Sequence, residues 1–239
     1  NRDDAAFQIG HLGGINIDLA REQGIARQIP LLWGDGSRFA PTLSVEALRV
    51  AQGVDTLLVN SSPDTDNALE SVRIGEIDIP TSESGMFYVH YRPNPRDLYV
   101  SAVDVLNVEK HSNIRSLIEG NIVYVGTSAV GLLDVRTTAL GETVPGVSIH
   151  AQATEQMLSG RFLSRPEWAV GLEFIFVILS GLAIAAIGAF TRPWKALTFA
   201  ATASVTIVAS TFYAFQIPGV LLDMTFPLLA MLLTYLAST

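Results

Sequence analysis

Cysteine is absent from the 239 residues, and lysine occurs only at Lys110 and Lys195. Without cysteine there is no disulfide staple, no thiolate zinc site and no cysteine nucleophile. Basic side chains number 15 against 23 acidic ones, for a formal net charge of −8. That balance argues against a nucleic-acid surface, because neutralising phosphates takes clusters of cations. Charge of either sign nearly vanishes after residue 166. The first 166 residues carry 13 basic and 20 acidic side chains, whereas the last 73 carry only Glu167, Glu173, Arg192, Lys195 and Asp223. The chain also opens on Asn1, with no initiator methionine and no signal-like apolar run beside it, and so is expected to be a piece of a longer protein.

What the tail does have is apolar length. A membrane helix needs roughly 20 mostly apolar residues to cross about 30 Å of hydrocarbon. The spacing predicts spans over 168–190, 196–216 and 219–238, after a juxtamembrane linker at 161–167. The first break, Thr191-Arg192-Pro193-Trp194-Lys195, joins a helix-ending proline to two cations and a tryptophan suited to a headgroup region. The second, Gln216-Ile217-Pro218-Gly219, is an uncharged turn. The positive-inside rule puts loop 191–195 and the C-terminus in the cytoplasm and residues 1–167 outside. Arg161 and Arg165 oppose that choice; the acidic front and the charge-free second turn favour it.

Small residues recur at four-residue spacing, Gly181, Ala185 and Ala189 in the first span and Ala196, Ala200 and Ser204 in the second, a pattern that lets helices approach closely. Glu173 lies about one and a half turns inside the outer end of span one, and Asp223 about one turn inside the outer end of span three. Ionisable groups in spans point to function, so these two are the candidates for transmembrane coupling.

The front half mixes periods. Loose alternation over 13–33 reads as short strands. From Pro41 to Ala51, Leu43, Ala47, Leu48 and Ala51 share a helical face, with Gly53 beyond the end. Residues 60–70 read as a polar loop, Ile74–Ile79 and Met86–Tyr91 as strands around a Gly85 turn, and 101–107 as a short helix. Ile122-Val123-Tyr124-Val125, bounded by Gly120 and Gly126, reads as a strand buried on both faces. A helix over 148–159 follows, with Ser148 as N-cap and Gly160 as its stop.

Chemistry is sparse. Gly126 and Gly131 have the outer spacing of a phosphate loop, but Leu132 and Leu133 stand where it needs Lys-Ser/Thr. Asp64 and Asp66 lack the glycine and distal glutamate of a cation loop. His11, His90, His111 and His150 are scattered, with none at metal-pair spacing. No Gly-x-Ser-x-Gly elbow surrounds Ser44, Ser128 or Ser148. No catalytic, metal or cofactor site is expected in this chain, and no ligand site is assigned.

An apolar segment ending in glycine, then Asp134, then Pro145-Gly146-Val147-x-x-His150-Ala151-Gln152, a short helix and three spans resemble the CHASE2 sensor domain of bacterial signalling proteins. Gly14, Asn16, Asp18, Gly24, Arg27, Pro30 and Leu31 resemble the middle of that domain, and Pro41-Thr42-Leu43-Ser44, Tyr91-Arg92 and Ser101 to Leu106 its later elements. The resemblance covers residues 13–239. It implies family-signature roles, structural in kind, for Asn16, Asp18, Arg27, Gly126, Asp134, Pro145, Gly146 and His150. The family's Asp-x-Asp-Gly turn is absent after Asp18, and its N-terminal anchor and first α/β portion are expected to precede Asn1.

The expected fold is therefore an α/β extracytoplasmic sensor domain over 1–160, a mixed sheet flanked by helices, followed by an all-α three-helix transmembrane unit. The resemblance implies a multi-pass protein of the bacterial inner membrane, a homodimer embedded in the lipid bilayer. It would answer an unidentified small-molecule or protein stimulus and control a class III adenylate or guanylate cyclase outside this chain. A histidine kinase, a diguanylate cyclase or a Ser/Thr kinase are the alternative effectors. A transporter or export subunit with a periplasmic domain is the rival reading, and it would predict polar residues deep in the spans.

Overall fold

A computed structural model describes residues 24–34, 39–61, 68–93, 98–107, 112–127 and 134–238. The chain divides into two compact units, Asn1–Phe162 and Leu163–Thr239.

In the first unit, strands β1 (Ile25–Ala26), β2 (Gln28–Pro30), β3 (Leu32–Gly34) and β4 (Phe39–Pro41) lead into helix α1 (Leu43–Ala51). Then come β5 (Leu57–Ser61), β6 (Leu69–Ile74), β7 (Ile77–Pro80), β8 (Met86–Tyr88), helices α2 (Ala102–Leu106) and α3 (Ser112–Ile118), β9 (Val135–Thr138), β10 (Thr143–Pro145) and helix α4 (Gly146–Ser159). The described strands form small sheets rather than one large one: β1-β9-β10, β2-β8, β3-β4 and β5-β6-β7. Among the described strands, only β1 and β9 pair in parallel, in the register Ile25 with Thr137. Sheet and helix are thus mixed, as expected of the front half.

The core gathers Ile29, Leu31, Val45, Leu48, Val72, Ile74, Ile79, Phe87, Ile149 and Met157, all fully buried, with α1 packed on α4. Phe87 meets Phe162 edge-on with centroids 6.2 Å apart. Each such side chain contributes about 1.5–3 kcal/mol by leaving water. Helix α1 begins where the spacing placed it, but its N-cap Thr42 does not cap. Both its N–H and its hydroxyl donate to the Leu31 carbonyl, at 2.9 and 3.1 Å, and so fasten the helix to the bend between β2 and β3. Buried Glu46 and Arg49 satisfy each other through a two-bond fork at 2.7 and 2.8 Å. That hydrogen bonding to Glu46 raises the guanidinium pKa, against the opposing effect of burial.

Several expectations are corrected. The strand read over Ile74–Ile79 is a hairpin: Gly75, at φ +57°, turns the chain so that Ile74 faces Ile77. Residues 60–61 and 69–70 of the expected loop belong to β5 and β6. The expected strand at Ile122–Val125 joins no strand or helix among the described residues. Its exposure alternates, with Ile122 and Tyr124 half-buried and Val125 88% exposed. A strand needs a partner for its backbone, and none of the described strands pairs there. Helix α4 starts at Gly146, not Ser148, with Pro145 at the cap, and ends at Gly160 in the left-handed conformation. Gly14, Asp64, Asp66, Ser128, Gly131, His11 and His111 lie outside the described residues.

The second unit holds helices α5 (Trp168–Phe190), α6 (Pro193–Gln216) and α7 (Thr225–Ser238). The first two are long and apolar enough to cross a membrane. The third span, expected over 219–238, is helical only in its last 14 residues, about 21 Å at 1.5 Å per residue. Residues 219–224 stay non-helical because their backbone is held elsewhere. Ser164 N–H donates to Gly219 O, Leu221 N–H to Ser164 O and Val220 N–H to Ala214 O, each at 2.9 Å. Along α5, a Cβ at Gly181 would lie 3.5 Å from Thr234 Oγ1, so this small residue marks a close approach to α7. On α6, Ala196 is buried and Ala200 and Ser204 are half-buried, while Thr198, Thr202, Thr206 and Ser210 are exposed and spend their hydroxyls on carbonyls of their own helix.

Candidate functional site

Residues Leu163–Glu167 precede α5. A parallel bridge between Ser164 and Val220 lays them beside the segment that precedes α7. Across that seam stands Glu173, the sixth residue of α5, its side chain only 12% exposed. Arg165 Nη2 donates to its Oε2 at 2.9 Å and to Oε1 at 3.3 Å, and the backbone N–H of Asp223 donates to Oε1 at 2.6 Å. Asp223 turns its own Oδ1 to the Thr225 N–H at 2.8 Å, at the head of α7. One carboxylate therefore ties the linker before α5 to the entry of α7.

The two acidic candidates are brought together, but not as a pair of facing carboxylates. Glu173 accepts from the main chain of Asp223, while the Asp223 side chain serves a helix start, where anions are favoured. Sequence spacing missed Arg165 as the third member. Pro166 breaks the helical period between Arg165 and Glu173, so no i+3 or i+4 rule connects them. A hydrogen bond to a charged group is worth about 1.5–3 kcal/mol. With three hydrogen bonds converging on one nearly buried carboxylate, removing the carboxyl group leaves Arg165 and the Asp223 N–H without their acceptor.

In the first unit, α4 presents an unusual face to the interior: Ser148, His150, Gln152, Thr154 and Gln156 are all buried polar residues. Their spacing of two on a helix spreads them around the axis, so nearly every neighbour meets a hydrogen-bonding group. Gln156 grips the segment after β8 at both ends, its Nε2 donating to Tyr88 O at 3.1 Å while its Oε1 accepts from His90 N–H at 2.8 Å. One turn earlier, Gln152 Oε1 accepts from Arg92 N–H at 3.2 Å. Glutamine side chains thus do for residues 88–92 what a neighbouring strand would do. Ser148 shares a hydrogen bond with Tyr99 at 2.7 Å, and Thr154 bonds the Tyr124 hydroxyl and the Ser44 carbonyl. Burial pushes the Tyr124 phenol pKa upward, only partly offset by the bond to Thr154.

The family-signature positions sort by what they touch. A Cβ at Gly126 would come within 2.5 Å of Val147, and one at Gly146 would collide with the Asp134 carboxylate. Asp134 also accepts the Gly146 N–H through its backbone oxygen at 2.8 Å. Pro145 ends β10 opposite Val135, His150 is 1% exposed within α4, and Arg27 O accepts from Val89 N–H at 3.0 Å. These contacts bring the segments before and after residues 128–133 onto the first turn of α4. Asn16 and Asp18 lie outside the described residues. Among the described residues no group of three His, Asp or Glu is placed to hold a metal ion.

A family model described as the CHASE2 domain matches residues 4–187, reaching from the front of the first unit nearly to the end of α5. The match starts earlier than the expected 13 and stops short of α6 and α7. No curated protein and no solved structure matches the chain. More than three quarters of the length is matched, and the chain belongs to the CHASE2 family, a sensor domain of signalling proteins.

Proposed function

We propose that the chain is the extracytoplasmic stimulus-sensing and transmembrane signalling portion of a bacterial receptor, and that the Glu173 cluster passes the signal. The observation that carries this reading is the convergence of Arg165 and the Asp223 backbone on the Glu173 carboxylate. Helix α4 leads through Gly160 and a few residues of linker into α5, so a shift of α4 pulls on the residues that this carboxylate holds. A stimulus changes output only if it binds two arrangements of the receptor unequally, and the cluster is a bond network that two arrangements would make differently.

The controlled effector is a class III adenylate or guanylate cyclase, favoured on family frequency, with a histidine kinase, a diguanylate cyclase or a Ser/Thr kinase as alternatives. The receptor works as a homodimer in the inner membrane, with α5, α6 and the α7 segment in the bilayer, loop 191–195 and the C-terminus inside, and no cofactor in this portion. The transporter reading finds less support. The ionisable residues of the apolar helices and their connections are Glu173, Arg192, Lys195 and Asp223, all near helix ends.

The test joins the chain in frame to a class III cyclase catalytic domain in a cyclase-deficient bacterium and compares it with the same fusion begun at Leu163. Cyclic nucleotide output is expected to differ by about fivefold or more. Equal output from the two fusions would mean that the water-facing unit exerts no control.

A further inference from the structure

The turn between α5 and α6 plays no part in the transmission cluster, yet it is the most cationic point of the apolar unit. Phe190, Thr191, Arg192, Pro193, Trp194 and Lys195 line an open cleft. Neither Arg192 nor Lys195 forms an ion pair among the described residues. Glu173, an acidic group of the same unit, is taken by Arg165. Two uncompensated cations in a chain of net charge −8 call for an anion from elsewhere.

The surroundings identify its source. The turn joins the two helices long and apolar enough to span a membrane. Phe190 is 88% and Trp194 58% exposed at the ends of those helices. Exposed aromatic rings beside cations at a helix end match the headgroup layer, where rings meet the upper acyl chains and cations meet phosphate. The Thr191 hydroxyl is spent on the Ile187 carbonyl at 2.6 Å, and the Lys195 N–H on the Arg192 carbonyl at 2.9 Å. The side chains of Arg192 and Lys195 are the cationic donors of the cleft. A free phosphate in water would gain nothing from the rings, whereas a phospholipid uses both parts of the cleft.

We infer that the α5–α6 turn is a binding site for the phosphate headgroup of an anionic phospholipid, held by Arg192 and Lys195 with Trp194 against the acyl chains. This rests on the reading that α5 and α6 lie in the bilayer. The consequence for signalling is an anchor: the inner end of α5 is pinned to the lipid surface while its outer end is held by the Glu173 cluster.

The full chain in neutral detergent micelles, offered equal amounts of phosphatidylglycerol and phosphatidylcholine, tests this by native mass spectrometry. Phosphatidylglycerol adducts should exceed phosphatidylcholine adducts by about fivefold or more, since each cation near a lipid surface is worth about that factor. The R192Q/K195Q variant should lose the preference, and R161Q, which removes a cation outside the turn, should keep it. An unchanged preference in R192Q/K195Q, or no preference in the parent, overturns the site. If inorganic phosphate removes the bound phosphatidylglycerol, a free anion is the ligand and the lipid assignment falls. A parent chain that retains no phospholipid of either kind overturns the bilayer reading as well, so the two failures differ in what is seen.

Discussion

Tyr124 shows how a single side chain can be read from sequence and still be misplaced. Its apolar neighbours suggested a strand buried on both faces, but only Ile122 and Tyr124 turn inward, and the phenol reaches Thr154 on α4. Burial raises its pKa above the ordinary 10.0, so the neutral form is the one the fold favours. That contribution to stability is complete below pH 10.0 and declines as pH rises through the higher folded value. Y124F is expected to cost about 1 kcal/mol at neutral pH through the lost hydrogen bond. It should also flatten the alkaline fall in stability, as measured by unfolding of the full chain against pH. A fall above pH 10.0 as steep as the parent's would place the effect elsewhere. Gly126 and Gly146 were legible as special positions, but the reason was not. Gly126 stood out by its spacing to Gly131 and Gly146 by the family motif, whereas the contacts show that an added Cβ would collide with Val147 and Asp134.

At the scale of elements, local signals were reliable and pairings were not. Helix α1 and the stop at Gly160 followed from periodicity and a left-handed glycine. The β6–β7 hairpin was hidden because Ile74 to Ile79 alternates plausibly through a turn that Gly75 makes. The six non-helical residues before α7 look apolar enough to extend a span, and nothing local reveals that Ser164, 55 residues away, claims their backbone. Helix α4 is the clearest case of a missed role. Its bounds and stop could be read, but not that Gln152 and Gln156 replace a strand for residues 88–92. Q156A should speed amide exchange at His90 by about tenfold, the equivalent of one lost hydrogen bond of about 1.4 kcal/mol. Unchanged exchange at His90 in the full chain would show that the segment holds itself.

For the whole molecule, the division into an acidic water-facing part and a nearly charge-free tail was open to arithmetic alone, because membrane and water select composition so differently. The family was legible through the motif around Pro145 to Gln152, and the family match covers that stretch. The proposed connection was only half legible: Glu173 and Asp223 stood out as charges among apolar residues, but Arg165 lay in the linker as one of many arginines. Orientation has a direct check. A phosphatase active only outside the cytoplasm, fused after Ile217 between α6 and α7, should be active, and fused after Thr239 it should be silent. The reverse pattern would invert the proposed direction of signalling.

The central claim is that Arg165 and Glu173 act as one unit in passing a signal, and a double-mutant cycle on output tests it most directly. In the fusion to a class III cyclase domain, R165Q and E173Q should each shift cyclic nucleotide output, and R165Q/E173Q should shift it no further than E173Q alone, because the shared contact is lost once. Independent, additive shifts in the double variant, or no shift in any of the three, would contradict the account.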